Sequence, residues 1–206
     1  MKSRSKTIFC TIRWISIMVI PFQFCIAQSG WELNLLRNIN PQQPNSGTWK
    51  AFSTTAKPLS VAIPVGLMTA ALLNKDTDTK QKAIEIGGSI FISAASATIF
   101  KQLVKRERPA VKYNDIYPDK PDQGYSFPSG HVSVSFAAAA SLSIQYKKWY
   151  ITVPAYLWST GVAYSRLYLG QHYPTDVLMG AATGIGSAYL AHWLNKKIFP
   201  RKKQTK

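Results

Sequence analysis

Phe127-Pro128-Ser129-Gly130-His131 runs straight into the small and apolar stretch 132–142, and its reading decides how the chain folds. The proline and serine end a loop. Ser129 stands where a helix N-cap belongs, and the apolar run is the helix body. The first amides of a helix lack internal partners and lie at the positive end of its dipole, so the position is a ready site for an anion. Gly130 lets a ligand come close to the backbone, and His131 stands beside it with a ring able to give or take a proton. A capped helix with an incidental histidine fits these five residues equally well, so the rest of the chain has to decide.

Four more apolar segments, 59–73, 84–104, 150–164 and 177–194, accompany 131–144. They are rich in Ala, Gly, Ser and Thr, as helix contacts in membranes often are. Alternating strand patterns are missing. The expected fold is therefore all-α, a helical bundle with about five core helices. Several segments fall short of the about 20 residues usual for a span. Mean hydropathy is also near neutral. A compact membrane bundle and a soluble helical domain both stay open on these grounds.

The charge pattern favours the membrane. Lys and Arg number 25 against 9 Asp and Glu, a formal charge of +16, which suggests an anionic partner. Much of the excess sits at the two ends, in Lys2, Arg4, Lys6 and Arg13 and in Lys196, Lys197, Arg201, Lys202, Lys203 and Lys206. A nucleic-acid module would spread it over one face, so nucleic acid is not the expected partner. Lys75, Lys80 and Lys82 lie between the first two segments, and Lys147 and Lys148 between the third and fourth. With 28–58 outside, these connections and the basic tail all fall inside, as the positive-inside rule requires. Loops 105–128 and 165–176 then face outward. Lys105, Arg106, Arg108, Lys112 and Lys120 in the first of them go against the rule unless some of these cations bind something.

The expected organisation is a signal peptide or uncleaved anchor at 1–27, a polar lead-in at 28–58, the helical bundle at 59–195 and a basic tail at 196–206. The first segment has a basic start, an apolar run 14–26 broken by Pro21, and small residues at Cys25 and Ala27. Cys10 and Cys25 are the only cysteines, so cleavage would leave none for disulfide, thiolate or metal chemistry. In the lead-in, Trp31, Leu35 and Ile39 recur every fourth residue before Pro41, which predicts a short amphipathic helix. It would either lie on a membrane surface or pack on the bundle. Pro41, Pro44, Asn45, Gly47 and Pro58 read as turn formers.

Three pieces carry the chemistry. Lys101 precedes Arg108-Pro109 at the outer end of the second segment; an Arg fork suits two phosphate oxygens, though helix-end cations also simply reach for water. Ser129-Gly130-His131 is the second piece. The third is Ser165-Arg166, then His172, then Asp176. Pro174 fits the first turn of the last helix. Asp176 in that turn can accept a hydrogen bond from the His172 ring, which fixes the tautomer and frees the other nitrogen as a nucleophile. His192, the remaining histidine, reads as a packing or interfacial residue.

Together these pieces resemble the three motifs of the type 2 phosphatidic acid phosphatase and vanadium haloperoxidase superfamily, in the right order and complete at every motif position. The resemblance covers roughly 60–194. It implies a membrane-associated phosphatase with its site at the outer end of the bundle. Lys101, Arg108 and Arg166 would hold phosphate oxygens, with Ser129 and the Gly130 amide adding hydrogen bonds. His172 would form a phosphohistidine, His131 would serve the leaving alcohol and then water, and Asp176 would orient His172. No metal and no cofactor is expected, since fixed cations and a helix N-terminus can stabilise the charge and no carboxylate cluster suggests a metal site. The expected partner is a phosphorylated lipid: lipid A, undecaprenyl pyrophosphate, phosphatidylglycerol phosphate or phosphatidic acid. The expected place is the bacterial inner membrane, with the site facing the periplasm. A soluble periplasmic acid phosphatase, a vanadium haloperoxidase and a non-enzymatic binder of anionic lipid are the competing readings.

Overall fold

The structure is a computed structural model and describes residues 30–198. The expected signal peptide or anchor and most of the basic tail lie outside the described residues. The regular structure of the described residues is all helical: α1 (Gly30–Ile39), α2 (Gly47–Leu73), α3 (Thr77–Val104), the single turn α4 (Pro109–Lys112), α5 (Gly130–Tyr146), α6 (Trp149–Tyr168) and α7 (Pro174–Ile198). The five apolar segments of the sequence are α2, α3, α5, α6 and α7, and they form the bundle.

Helix α5 is its axis and packs against α2, α3, α6 and α7. Its alanines make this possible. Ala137, Ala138, Ala139 and Ala140 are all buried, and short side chains let the neighbouring helices close in from every side. Two glycines of α7 bring it closest. A Cβ on Gly180 would stand 2.8 Å from the Ser129 carbonyl oxygen, and one on Gly184 would stand 2.3 Å from that of Ser133. The α5 and α7 starts therefore lie side by side. The Ser129 amide donates to the Asp176 carbonyl (3.0 Å), and Ser133 Oγ to that of Gly180 (3.2 Å). Ile86, Ile90 and Val134 build one part of the core, and Val132, Ala163 and Val177 another. Serines bridge the helices between these clusters: Ser89 and Ser141 hydroxyls are 2.6 Å apart, and Ser159 Oγ donates to the Ser135 carbonyl (2.9 Å).

The outside of the bundle is apolar. Val61, Val65, Phe91, Ile99, Leu157 and Leu178 are all exposed. Helix α2 and the stretch from Thr77 to Lys112 are long and apolar enough to cross a membrane, and most of each lies on the surface of the fold. Apolar surface of this extent marks contact with lipid or a partner.

Two expectations need correction. Pro58 is no turn former, because α2 begins at Gly47 and passes through both Pro58 and Pro64. The boundary expected between lead-in and bundle therefore falls inside a helix. Proline is tolerated in apolar helices that pack against neighbouring helices, and α2 packs along α3, α5 and α6. The helix expected around Trp31 is α1, and it packs on the fold: Leu36 is fully buried with Ile116 and Tyr173. Asn40, just past its end, donates to the Tyr117 and Tyr168 carbonyls (2.9 and 2.8 Å) and accepts from the Tyr117 amide (2.7 Å). The long loop is thereby pinned to the α6 end.

Candidate active site

The C-terminal ends of α3 and α6 and the N-terminal ends of α5 and α7 gather at one end of the bundle, with α1 and the long loop around them. All three sequence pieces meet there. Helix α3 delivers Lys101, which donates to the Tyr125 carbonyl and lies within range of the charges of Arg108, Arg166, Asp122 and Asp176. Arg166 closes α6 and is buried. Phe52 packs where a Cβ on Gly161 would clash with it, and Ser53 beside it accepts from Arg166 Nη1 (2.6 Å). Helix α5 presents Ser129 and His131, and α7 presents Asp176.

His172 is 1% exposed in the turn between α6 and α7. Its Nδ1 faces Ser126 Oγ at 3.4 Å and Asp176 Oδ2 at 3.6 Å. The direct His172–Asp176 hydrogen bond expected from the sequence is therefore too long to count as one. Ser126 fills the gap and donates to Asp176 Oδ2, which also accepts from the Tyr173 amide (2.9 Å). Burial pushes the His172 ring down to about 3, against the pull of Asp176 and with the help of the Arg166 and Arg108 charges. The ring is neutral at neutral pH, as a nitrogen nucleophile must be.

His131 lines a cavity of about 280 Å³ together with Ser53, Arg166, Asp122 and Gln171. It feels the charges of Arg166, Lys57 and Arg108. Ser129 Oγ and Arg166 Nε in this region lack hydrogen-bond partners, as do Arg106 Nε and the Tyr173 hydroxyl behind Asp176. The Ser129 side chain makes no cap bond, although the residue occupies the N-cap position. A buried polar atom without a partner is costly, and an acceptor bound here would repay Arg166 Nε. Among the described residues, no group of three or more His, Cys, Asp or Glu stands together to hold a metal ion.

Arg108 is occupied. Its Nε donates to the Gly124 carbonyl (2.9 Å), its Nη1 to the Gln171 carbonyl and Oε1 (2.8 and 3.1 Å), and its Nη2 pairs with Asp122. Burial pushes the Asp122 carboxyl up, but the Gly124 amide and the charges of Arg108 and Arg166 hold it below the usual carboxylate range. An Asp carboxylate thus sits among the cations.

Sequence reasoning missed Glu32, Arg106, Ser126, Gln171 and Asp122. Arg106 and Arg108 are two of the five loop cations that went against the positive-inside pattern, and both are buried and paired. That conflict was the available signal for Arg106. Ser126 stands three residues before Ser129 and carried no signal of its own. At the opposite end, a cavity of about 430 Å³ holds Glu85, Gln145, His192 and Asn195. Glu85 accepts from Asn195 (2.6 Å) and lies 2.7 Å from His192 Nδ1, so His192 has a packing partner.

Residues 82–200 match the family model described as the PAP2 superfamily. A lipid A 4'-phosphatase of Bacteroides thetaiotaomicron is 32% identical over 110 residues, which are 50% of this chain and 49% of that protein. A decaprenylphosphoryl-5-phosphoribose phosphatase of Mycolicibacterium smegmatis is 37% identical over 97 residues, 47% of this chain and 51% of that one. The chain spans about half the length of these curated relatives. Among solved structures, Aquifex aeolicus LpxE superposes with a TM-score of 0.65 at 25% identity, covering 82% of this chain and 98% of that one.

Proposed function

The chain belongs to the PAP2 superfamily, and from that premise we propose that it is a phosphatase that cleaves a phosphomonoester or pyrophosphate of a membrane lipid through a phosphohistidine on His172. The observation that carries this reading is the meeting of Arg166, Ser129, His131 and His172, from two distant stretches, around one end of the bundle, with two of their buried polar atoms unpartnered.

Phosphate oxygens would be held by Lys101, Arg108 and Arg166, with the Ser129 hydroxyl and the Gly130 amide at the positive end of α5. The neutral His172 directs Nδ1 toward Ser126 and Asp176, which leaves Nε2 for phosphorus. Its lone pair forms the N–P bond as the bond from phosphorus to the ester oxygen breaks, and His131 gives that oxygen its proton. A water then loses a proton to His131, attacks phosphorus and displaces His172 as inorganic phosphate forms. Charge on the transferring group is met by fixed cations and amides already in place.

The relatives named for lipid A and for a decaprenyl lipid support a lipid substrate, as does the apolar surface of α2 and α3. Lipid A and undecaprenyl pyrophosphate are the first candidates, and phosphatidylglycerol phosphate and phosphatidic acid follow. The positive-inside pattern supports an inner-membrane placement with the site toward the periplasm. Phosphate release from this panel in detergent is the test. The reading expects turnover of at least one lipid and a loss of at least about a thousandfold in His172→Ala. Undiminished turnover by a folded His172→Ala protein would refute it.

A further inference from the structure

Behind Asp176 lies a chain of buried charge outside the proposed phosphate-holding set. Glu32, Arg106 and Asp176 are 2%, 7% and 0% exposed. Arg106 Nη2 pairs with Glu32 Oε1, and its Nη1 donates to Asp176 Oδ1 (2.7 Å) and to Thr175 Oγ1 (2.8 Å). Thr175 in turn donates to Glu32 Oε2. The guanidinium lies over the Tyr173 ring, 3.8 Å from its centre. Asp176 thus divides its oxygens, Oδ1 to Arg106 and Oδ2 toward Ser126, Tyr173 and His172.

The charge count gives this arrangement a meaning. Arg106 alone would cancel Asp176 and leave nothing to offset the positive charge that builds on His172 as it bonds to phosphorus. Glu32 returns one negative charge to the group. In a buried setting such a charge is felt strongly, because little solvent screens it. Burial would lower the Arg106 guanidinium, but Asp176 and Glu32 together hold it above its ordinary value, so it stays charged. Residue 32 also lies outside the stretch 82–200 that matches the family model.

Resting on the phosphatase reading above, we propose that Glu32 is a positioning residue for phosphoryl transfer. Acting through Arg106, it keeps the Asp176 side of His172 net negative, and it makes helix α1 a working part of the site.

Steady-state kinetics of the full-length protein in detergent test this, with thermal melting and vanadate inhibition as checks on the fold and the phosphate pocket. Glu32→Gln keeps the shape but drops the charge. It is expected to lower kcat at least tenfold, with KM and the vanadate inhibition constant within threefold of the parent. Adding Arg106→Met removes the second charge and leaves Asp176 alone again, so the double variant is expected to exceed Glu32→Gln in kcat. A structural role predicts the reverse, since two disruptions would outweigh one. Glu32→Gln with parental kcat, or a double variant no faster than Glu32→Gln, overturns the proposal. Should Glu32→Gln fail to fold, the double variant decides, because it leaves no unpaired buried charge at this pair: kcat within tenfold of the parent supports the proposal, and a greater loss overturns it. A parent enzyme inactive on every lipid overturns the phosphatase reading and this inference with it. An active parent with indifferent variants overturns only this one.

Discussion

Asp122 and Arg108 show the competition at the residue scale. The phosphate that Arg108 is proposed to hold must share it with, or take it from, a carboxylate already there. Like charges placed together in a cleft are costly. Asp122→Asn should therefore tighten inhibition by vanadate, by about tenfold, which corresponds to about 1.4 kcal/mol. Unchanged or weaker inhibition would mean that Asp122 holds Arg108 in place and does not compete with the ligand. His172 makes a second prediction at this scale. Its ring is held down to about 3 by burial, whereas the unfolded chain protonates it near the ordinary value of 6.5. Below about pH 6.5 the unfolded state binds the extra proton, so stability falls as pH drops from there toward about 3, by at most about 1.4 kcal/mol per unit. Melting midpoints in detergent should fall between pH 7.5 and pH 5, and by less in His172→Gln. An equal fall in both proteins would assign the loss to other groups.

At the scale of elements, the close approach of α5 and α7 is what sets Ser129 and His131 beside Asp176. Gly184→Ala places a methyl 2.3 Å from the Ser133 carbonyl oxygen and 2.8 Å from the Ala137 nitrogen, both backbone atoms with little room to give. The cost should be about 1–3 kcal/mol. Because the strain parts the two helix starts, activity should fall too. A melting midpoint and a turnover both unchanged would contradict the packing described for these helices. The helices themselves were legible in the sequence: five apolar stretches gave five bundle helices, with ends shifted by several residues. The start of α2 was not, since Pro58 signals a turn locally and only the packed neighbours show that the helix passes through it. Whether α1 lay on a membrane or on the fold was equally hidden. Its apolar stripe names no partner, and Ile116 and Tyr173 come from distant parts of the chain.

For the whole molecule, an apolar exterior and a polar, cation-lined end belong together. A lipid would keep its tails beside the bundle and bring only its phosphate to the end of it. The chain should accordingly stay with membranes through an alkaline carbonate wash and come out only with detergent. Release into the soluble fraction would favour the soluble phosphatase reading. The motif residues could be singled out in advance because cations, histidines and a helix start suit phosphate and their order and spacing resemble a known family's motifs, and the fold brings them to one end of the bundle. Glu32 and Ser126 could not, and Arg106 stood out only as one of five loop cations against the positive-inside pattern, with nothing to single it out until α1 is seen to cover it.

The central claim is that His172 carries the phosphoryl group. Rapid quenching of turnover into base with a lipid labelled in its phosphate, followed by digestion and mass measurement, tests it most directly. The account predicts label on the peptide that contains His172, absent from His172→Ala. Label on His131, or steady turnover with no labelled protein at any quench time, would contradict it.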